Sequence, residues 1–409
     1  MRKALIAVVV VGMVACGQAV SAPSPALPSA RPFHPPSSWG LFLASSDTFE
    51  QPSWALTRLD AATLTDVEAG RPGKGYAVAS ADGSTLVEID YNNDNTSALR
   101  VIDARTGTLR RSLRPPFATN PLLTADGSHL LVNDSYGSQY RVFDTRTGRQ
   151  TGSLVTAESI CCAGFPEWLD PTGRFLYGLV VPGSGLGASG PGTPVLLRYD
   201  LQSGKEDGRL RLNGLQAGVW QGARIVNAEH VAQTLTPGAA LSPDGSQLAV
   251  LYQDGTRLMT IDAIHMTVIA SRQVSVPSSP LSWLGLMPID ADAKYSEGTT
   301  WSLVYSPDGR RLLASAEQMQ VDASGHEQTQ GLGLRLIDVA TSTRMADLPG
   351  VDAPWAVFAP DGSALYGMTW VRDTGGNIRS TLLRFDAQTL AVAARREFTG
   401  SRSVMILAR

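Results

Sequence analysis

The sequence predicts an all-β fold, a seven-bladed β-propeller with four antiparallel strands per blade and a ring closed by the C-terminal strand. Three observations lead there. A tight-turn phrase built on Asp-Gly recurs along the chain, a second phrase consisting of an alternating apolar strand that ends in Asp follows each copy, and the two chain ends carry complementary fractions of one further unit.

The first phrase occurs as SADGSTLVEI at Asp82-Gly83, TADGSHLLVN at Asp126-Gly127, DPTGRFLYGL at Thr172-Gly173, SPDGSQLAVL at Asp244-Gly245, SPDGRRLLAS at Asp308-Gly309 and APDGSALYGM at Asp361-Gly362. Asp-Gly between apolar segments of period two marks a tight turn, because Gly accepts positive φ and Asp hydrogen-bonds its own backbone. The second phrase occurs as LRVIDARTGTLRRSL, YRVFDTRTGRQTGSL, LLRYDLQSGKEDGRL, LMTIDAIHMTVIAS, LRLIDVATSTRMADL and LLRFDAQTLAVAAR, with its Asp at 103, 144, 200, 262, 338 and 386. Each unit therefore holds four strands, the first two joined by the Asp-Gly turn and the last two by a D-x-x-T-G-like turn. Self-similarity at this spacing, with four strands per unit, selects a propeller over a solenoid.

The count closes at seven. The N-terminal segment WGLFLASSD to WALTRLDAATLTDVE, with Asp60 at its second turn, supplies three strands and lacks the strand that precedes an Asp-Gly turn. The C-terminal SRSVMILAR supplies that strand, which staples the ring shut and removes the exposed edges of an open array. Successive Asp-Gly turns lie about 44 to about 72 residues apart, against roughly 40–45 in compact WD-type blades, so some blades carry long insertions.

The S-P-D-G-x-x-L and I-D-x-x-T-G phrases resemble those of bacterial propellers of the TolB-like, WD-like and YVTN groups, over essentially everything from Trp39 to Arg409. The resemblance implies the fold and little else, since propellers with these phrases include docking platforms, envelope scaffolds and some enzymes. The Gly-His and Trp-Asp signatures of true WD repeats are absent.

Ahead of the propeller, Met1, Arg2 and Lys3 precede an apolar run from Ala4 to Ala15, which has the form of an export signal and is too short for a mature spanning helix. Met13-Val14-Ala15-Cys16 resembles the bacterial lipobox, which implies cleavage after residue 15 and a diacylglycerol on the Cys16 thiol; cleavage after Ala22 is the alternative, and Pro23 disfavours it. Two or more acyl chains suffice for stable anchoring. Residues 16–38 are rich in Pro, Ala and Ser and read as a tether, leaving 39–409 as the propeller. The expected address is the outer side of the bacterial cytoplasmic membrane or the periplasm and cell envelope, with membrane contact through the lipid only.

Formal charge is −3, and loss of Arg2 and Lys3 with the leader makes the chain two units more negative. There is no basic stripe, so nucleic acid is not an expected partner. Beyond Cys16 the only cysteines are the adjacent Cys161 and Cys162. They read as two small buried thiols or a strained vicinal disulfide, with a redox or ligand-contacting role as the alternative.

Alternating strand direction places the Asp-Gly and D-x-x-T-G turns on one face of the disc, and the second-to-third loops and blade connections on the other. The second face carries the insertions 181–194, 213–238, 275–299 and 317–330. Long loops in a compact domain are commonly functional. The candidate binding face comprises Trp220, Arg224 and His230, next to Glu229, in one insertion, and Trp283, Asp290 and Tyr295, next to Asp292, in another. Aromatics amid charges suit recognition of a protein or glycan, although both tryptophans would equally serve to pin their loops. Asn227 before AEHVAQTL has the form of a helix N-cap.

First strands line a propeller channel, which makes Tyr76, Asn120, Glu167, Trp301 and Trp355 channel-mouth candidates, with packing between blades as the competing role for the aromatics. Asp90, Asn92 and Asp94 alternate like calcium ligands, but the required Gly and distal Glu are missing, and an Asx-rich turn is the better reading. The five histidines show no metal-ligand spacing, and Gly183-Ser184-Gly185 lacks the strand-to-helix context of a hydrolase elbow. No metal and no cofactor is expected. The expected function is a non-catalytic binding or scaffold lipoprotein, monomeric, whose long-loop face meets a protein or cell-wall polymer. The alternative is an extracytoplasmic propeller enzyme of lactonase or quinoprotein type with its site at the channel mouth.

Overall fold

A computed structural model of the chain describes residues 39–46, 53–74, 76–91, 97–115, 119–133, 139–156, 167–184, 188–226, 229–275, 298–321, 327–351, 356–372 and 378–408. Every regular element among them is a β-strand. Blade 1 begins with β1 (Trp39–Ser46), β2 (Ser53–Leu59) and β3 (Asp66–Lys74). Blade 2 holds β4 (Tyr76–Ala79), β5 (Thr85–Tyr91), β6 (Ser97–Asp103) and β7 (Leu109–Leu113), and blade 3 holds β8 (Thr119–Leu123), β9 (His129–Asn133), β10 (Gln139–Asp144) and β11 (Gln150–Val155). Blade 4 holds β12 (Glu167–Leu169), β13 (Phe175–Val180), β14 (Val195–Asp200) and β15 (Lys205–Arg211). A hairpin, β16 (Gly218–Val226) and β17 (Glu229–Thr236), follows. Blade 5 is β18 (Gly238–Leu241), β19 (Gln247–Leu251), β20 (Arg257–Asp262) and β21 (Thr267–Gln273); blade 6 is β22 (Gly298–Tyr305), β23 (Arg311–Val321), β24 (Glu327–Asp338) and β25 (Arg344–Leu348). Blade 7 is β26 (Val357–Phe358), β27 (Ala364–Arg372), β28 (Ile378–Asp386) and β29 (Val392–Thr399), after which β30 (Ser401–Ala408) completes blade 1.

The closure is as expected: β30 pairs antiparallel with β1 from Trp39↔Ala408 to Ser46↔Ser401, giving the order β3-β2-β1-β30. The molecule is a seven-bladed β-propeller.

Both turn phrases act as the sequence predicts. In the Asp-Gly turn of blade 2, Ser80 Oγ donates to Asp82 Oδ1 at 2.6 Å, the Ser84 N–H donates to the same oxygen at 2.9 Å, and Gly83 sits at φ 67°. In the second turn, the Asp carboxylate accepts backbone N–H groups two or three residues on, for example from Thr147 to Asp144 at 2.6 Å and from Thr389 to Asp386 at 2.9 Å. The residue four after that Asp always has positive φ. Gly occupies the position at 107, 148 and 204, and Leu64, Met266, Ser342 and Leu390 occupy it in the other four blades.

The core is a series of apolar layers between neighbouring blades. One joins blades 4 and 5 through Phe175, Tyr177, Leu196, Leu248, Val250 and Ile261, and equivalent layers occur at the joints around the ring. β13 and β14 are buried at every position, whereas the outermost β15 alternates. Each fully buried large side chain contributes about 1.5–3 kcal/mol, so a blade is stable only between its neighbours. Hydrogen bonds reinforce the joints. Tyr177 Oη donates to the Ala263 carbonyl at 3.1 Å, and Arg311 Nη1 donates to that of Ala387 at 2.7 Å.

Insertion 213–238 departs from expectation. Asn227 lies outside the described residues, and no helix follows it: Glu229–Thr236 is strand β17, paired back onto β16 from Gly218↔Leu235 to Val226↔Glu229. The β-branched Val231, Thr234 and Thr236 suit a strand, and pairing with β16 satisfies the backbone groups that a solvated helix would have bonded internally.

Candidate functional site

The long-loop face carries a built feature over blades 4 to 6. β17 runs on through one residue into β18, so the inner strand of blade 5 is prolonged beyond the disc. Its last residues pair in parallel with the start of β22, at Thr234↔Gly298, Leu235↔Thr299 and Thr236↔Thr300, which makes the sheet of blade 6 six-stranded. The other side of the hairpin docks on insertion 181–194. Gly192 and Ala217 exchange backbone hydrogen bonds at 2.9 and 3.0 Å, and the Gln221 N–H donates to the Ala188 carbonyl at 3.2 Å. The Val219 N–H donates to Ser184 Oγ at 2.7 Å, and that hydroxyl lies 3.3 Å from the Val219 carbonyl. The hairpin is thus held by a blade on one side and by an insertion on the other.

Two more hairpins project on this face. Pairing of β23 with β24 continues to Val321↔Glu327, and that of β27 with β28 to Arg372↔Ile378.

The expected binding residues are distributed as follows. Trp220, opposite Gln233 in β16, is half-buried. Arg224 lies in the bulged stretch between Gln221 and Ile225, and His230 pairs with Ile225. Trp283, Asp290, Tyr295 and Trp355 lie outside the described residues, as do Cys16, Cys161, Cys162 and the calcium-like Asn92 and Asp94.

The central channel holds a cavity of about 910 Å³, lined by residues of the inner strands β4, β8, β12, β18, β22 and β26. Tyr76 and Asn120 belong to β4 and β8. The wall is apolar, with Val78, Leu123, Trp168, Leu241, Leu303 and Phe358 among its residues. Glu167 is the one Asp, Glu, Lys, Arg or His among the described lining residues. It is half-buried and accepts a hydrogen bond from Tyr140 Oη at 2.6 Å. Burial pushes its carboxyl above the ordinary range, and the Tyr140 hydrogen bond only partly opposes that. Burial likewise raises the Tyr305 hydroxyl in the same wall.

Trp301 takes the competing role, packing between blades. It is buried in the layer between blades 5 and 6, with Nε1 donating to the Gln253 carbonyl at 2.8 Å and the Arg335 guanidinium over its ring at 5.1 Å. Inner-strand side chains point alternately at the two neighbouring blades, and Trp301 falls on the side of blade 5, where only Gly255 leaves room for its ring.

The cavity also reaches the opposite end of the channel from the strand starts. Its rim is formed by Ala81, Ala125, Pro171, Pro243, Pro307 and Pro360, the residue before Asp-Gly or Thr-Gly in all six copies of the first turn phrase. The repeat itself carried this signal: one position, always Pro or Ala, facing the axis. Among the described residues no group of three His, Cys, Asp or Glu side chains could hold a metal ion.

Fold and site together define a β-propeller with an insertion-built face and an apolar axial cavity. No protein-family model matches the sequence, and no curated protein matches it. Solved structures resemble the fold at low identity. Hydrazine synthase of Kuenenia stuttgartiensis is 16% identical over 75% of each chain with a TM-score of 0.43. The β-propeller domain of Myceliophteria thermophila Cps50 (Swd1) is 15% identical, over 80% of this chain and 87% of that one, with a TM-score of 0.47. A eukaryotic initiation factor is 13% identical over 90% and 98%, with a TM-score of 0.41. These likenesses concern architecture only.

Proposed function

We propose that the chain is a non-catalytic binding lipoprotein of the bacterial cell envelope, anchored through Cys16 and presenting its long-loop face to a protein or cell-wall polymer. The observation that carries this reading is the double bracing of the β16–β17 hairpin, paired with β22 on one side and with insertion 181–194 on the other. A segment ordered in advance loses little conformational entropy when a partner docks, which is what a recognition surface requires. The tether of residues 16–38 would let that face turn towards its partner.

The test is crosslinking of the anchored protein in its native cells, against a variant with Gly218–Thr236 replaced by a short Gly-Ser turn. Recovery of one partner by the intact protein, and its loss from a variant that still melts cooperatively, supports the reading. Equal recovery from both contradicts it. Labelled palmitate should enter the protein and be lost in Cys16→Ser.

A further inference from the structure

We propose that the central channel, entered through its short-turn end, is a binding site for a small amphiphile with an apolar body and a single cationic amine head, the head received by Glu167 at the inner end. The site lies in the channel and does not use the β16–β17 hairpin, and its ligand class follows from three features of the wall.

Size and polarity come first. The cavity volume of about 910 Å³ falls within the roughly 300–1,000 Å³ of small-molecule sites, and its wall is built mainly from Ala, Val, Leu, Trp and Phe. Such a surface favours an apolar body over a sugar or a peptide backbone, whose polar groups would lose their hydrogen bonds to water there.

The rim adds a second restriction. Four of its six positions are proline, which has no N–H, and the other two are alanine. None of these six side chains can donate a hydrogen bond or carries a positive charge, so they offer a phosphate or carboxylate head no partner. Pro171 at the rim stands four residues along the chain from Glu167 at the start of β12, a reach of roughly 13 Å for extended backbone, the length of a two- to four-ring body with a short arm.

Glu167 then sets the head group. Tyr140 Oη bonds its Oε1 at 2.6 Å, and no described side chain donates to its Oε2. No Lys, Arg or His is among the described residues of the cavity wall. A carboxylate in apolar surroundings without a counter-charge is costly, and a ligand that brings an ammonium group relieves that cost while its body covers the wall. A neutral ligand of the same shape would cover the wall without pairing the carboxylate.

The test uses two fluorescent probes of equal shape, 1-pyrenemethylamine and 1-pyrenemethanol, titrated into the soluble protein without its leader and lipid. The amine is expected to bind at least about tenfold more tightly than the alcohol. Glu167→Gln is expected to abolish that preference and leave alcohol binding within about twofold. Energy transfer from Trp168, lost in Trp168→Phe, places the probe in the channel. Leu241→Trp, which narrows the cavity and leaves the carboxylate intact, should weaken both probes, and it keeps the test decisive if Glu167→Gln fails to fold. Equal affinity for the two probes in the native protein overturns the proposal, as does binding of neither or an amine preference that survives in Glu167→Gln.

Discussion

Tyr366 Oη donates to the carbonyl of Ala61 at 2.9 Å, tying the last blade to the first across 305 positions of sequence. Tyr177 makes the same bond to Ala263 between blades 4 and 5, at 3.1 Å. Both tyrosines stand four residues after the glycine of the first turn, and both acceptors directly follow the Asp of the second turn. The closing joint therefore reuses the device of an internal joint, and the strand exchange of β30 adds to it.

Tyr366→Phe and Tyr177→Phe should each lower stability by about 0.5–1.5 kcal/mol, the worth of one hydrogen bond, since the Ala61 carbonyl is only half-buried and that of Ala263 keeps its bond from Arg198 Nη1. Urea unfolding with unchanged slope is the expected record. A variant indistinguishable from the parent would show that the hydroxyl bonds contribute nothing to the joint.

Backbone strain is concentrated at one repeat position. Ser342, at φ 58°, has no large apolar side chain to lose, so Ser342→Gly should stabilise the protein by roughly 0.5–1 kcal/mol. Leu390, at the same position and φ in blade 7, is fully buried in the layer between blades 6 and 7. Leu390→Gly should destabilise by about 2–4 kcal/mol, because the cavity left behind outweighs the relief of strain. Thermal melts of the pair check the opposite signs.

Two kinds of carboxyl give opposite pH dependence. The backbone N–H of Thr63, then its hydroxyl and the Ala62 N–H, hold Asp60 below the usual carboxylate range, and the N–H groups of Gln388 and Thr389 do the same for Asp386. A folded pKa below the unfolded one means stability present above about pH 3.9 and lost as pH falls through the folded value, so unfolding should set in on acidification. Glu167 has the reverse sign, since burial raises its folded pKa. Its contribution is complete below about pH 4.3 and is lost as pH rises through the folded value. Glu167→Gln should therefore gain stability relative to the parent as pH rises, and a gap that stays constant from pH 4 to 8 would contradict the assignment.

The bracing of the hairpin has its own test. Ser184→Ala removes the acceptor of the Val219 N–H, and amide exchange along β16 should quicken roughly fivefold without a change in the blades. Exchange as slow as in the parent would place the bracing elsewhere.

Blade count and ring closure were legible because each turn is encoded locally, by an Asp that bonds its own backbone and a residue at positive φ. Even the four non-glycine residues at that position follow a turn Asp by four residues, although only the structure reveals their φ. The β16–β17 hairpin was not legible, since Asn227 before a polar-apolar mixture satisfies helix and strand rules alike and the deciding partner, Gly298–Thr300, is some sixty residues away. For Trp301 the sequence left two roles open, channel mouth and packing between blades, and the structure shows it packed between blades 5 and 6. The rim of Pro and Ala could have been found by asking which repeat position faces the axis.

The most direct test of the binding reading is site-specific photocrosslinking in native cells from two exposed positions on opposite faces. One photoreactive residue replaces Gln221 on the hairpin, and the other replaces His265 in a short turn. The account predicts a discrete adduct from position 221 and none from position 265. An adduct from position 265 alone, or from neither, would contradict the long-loop face as the binding surface.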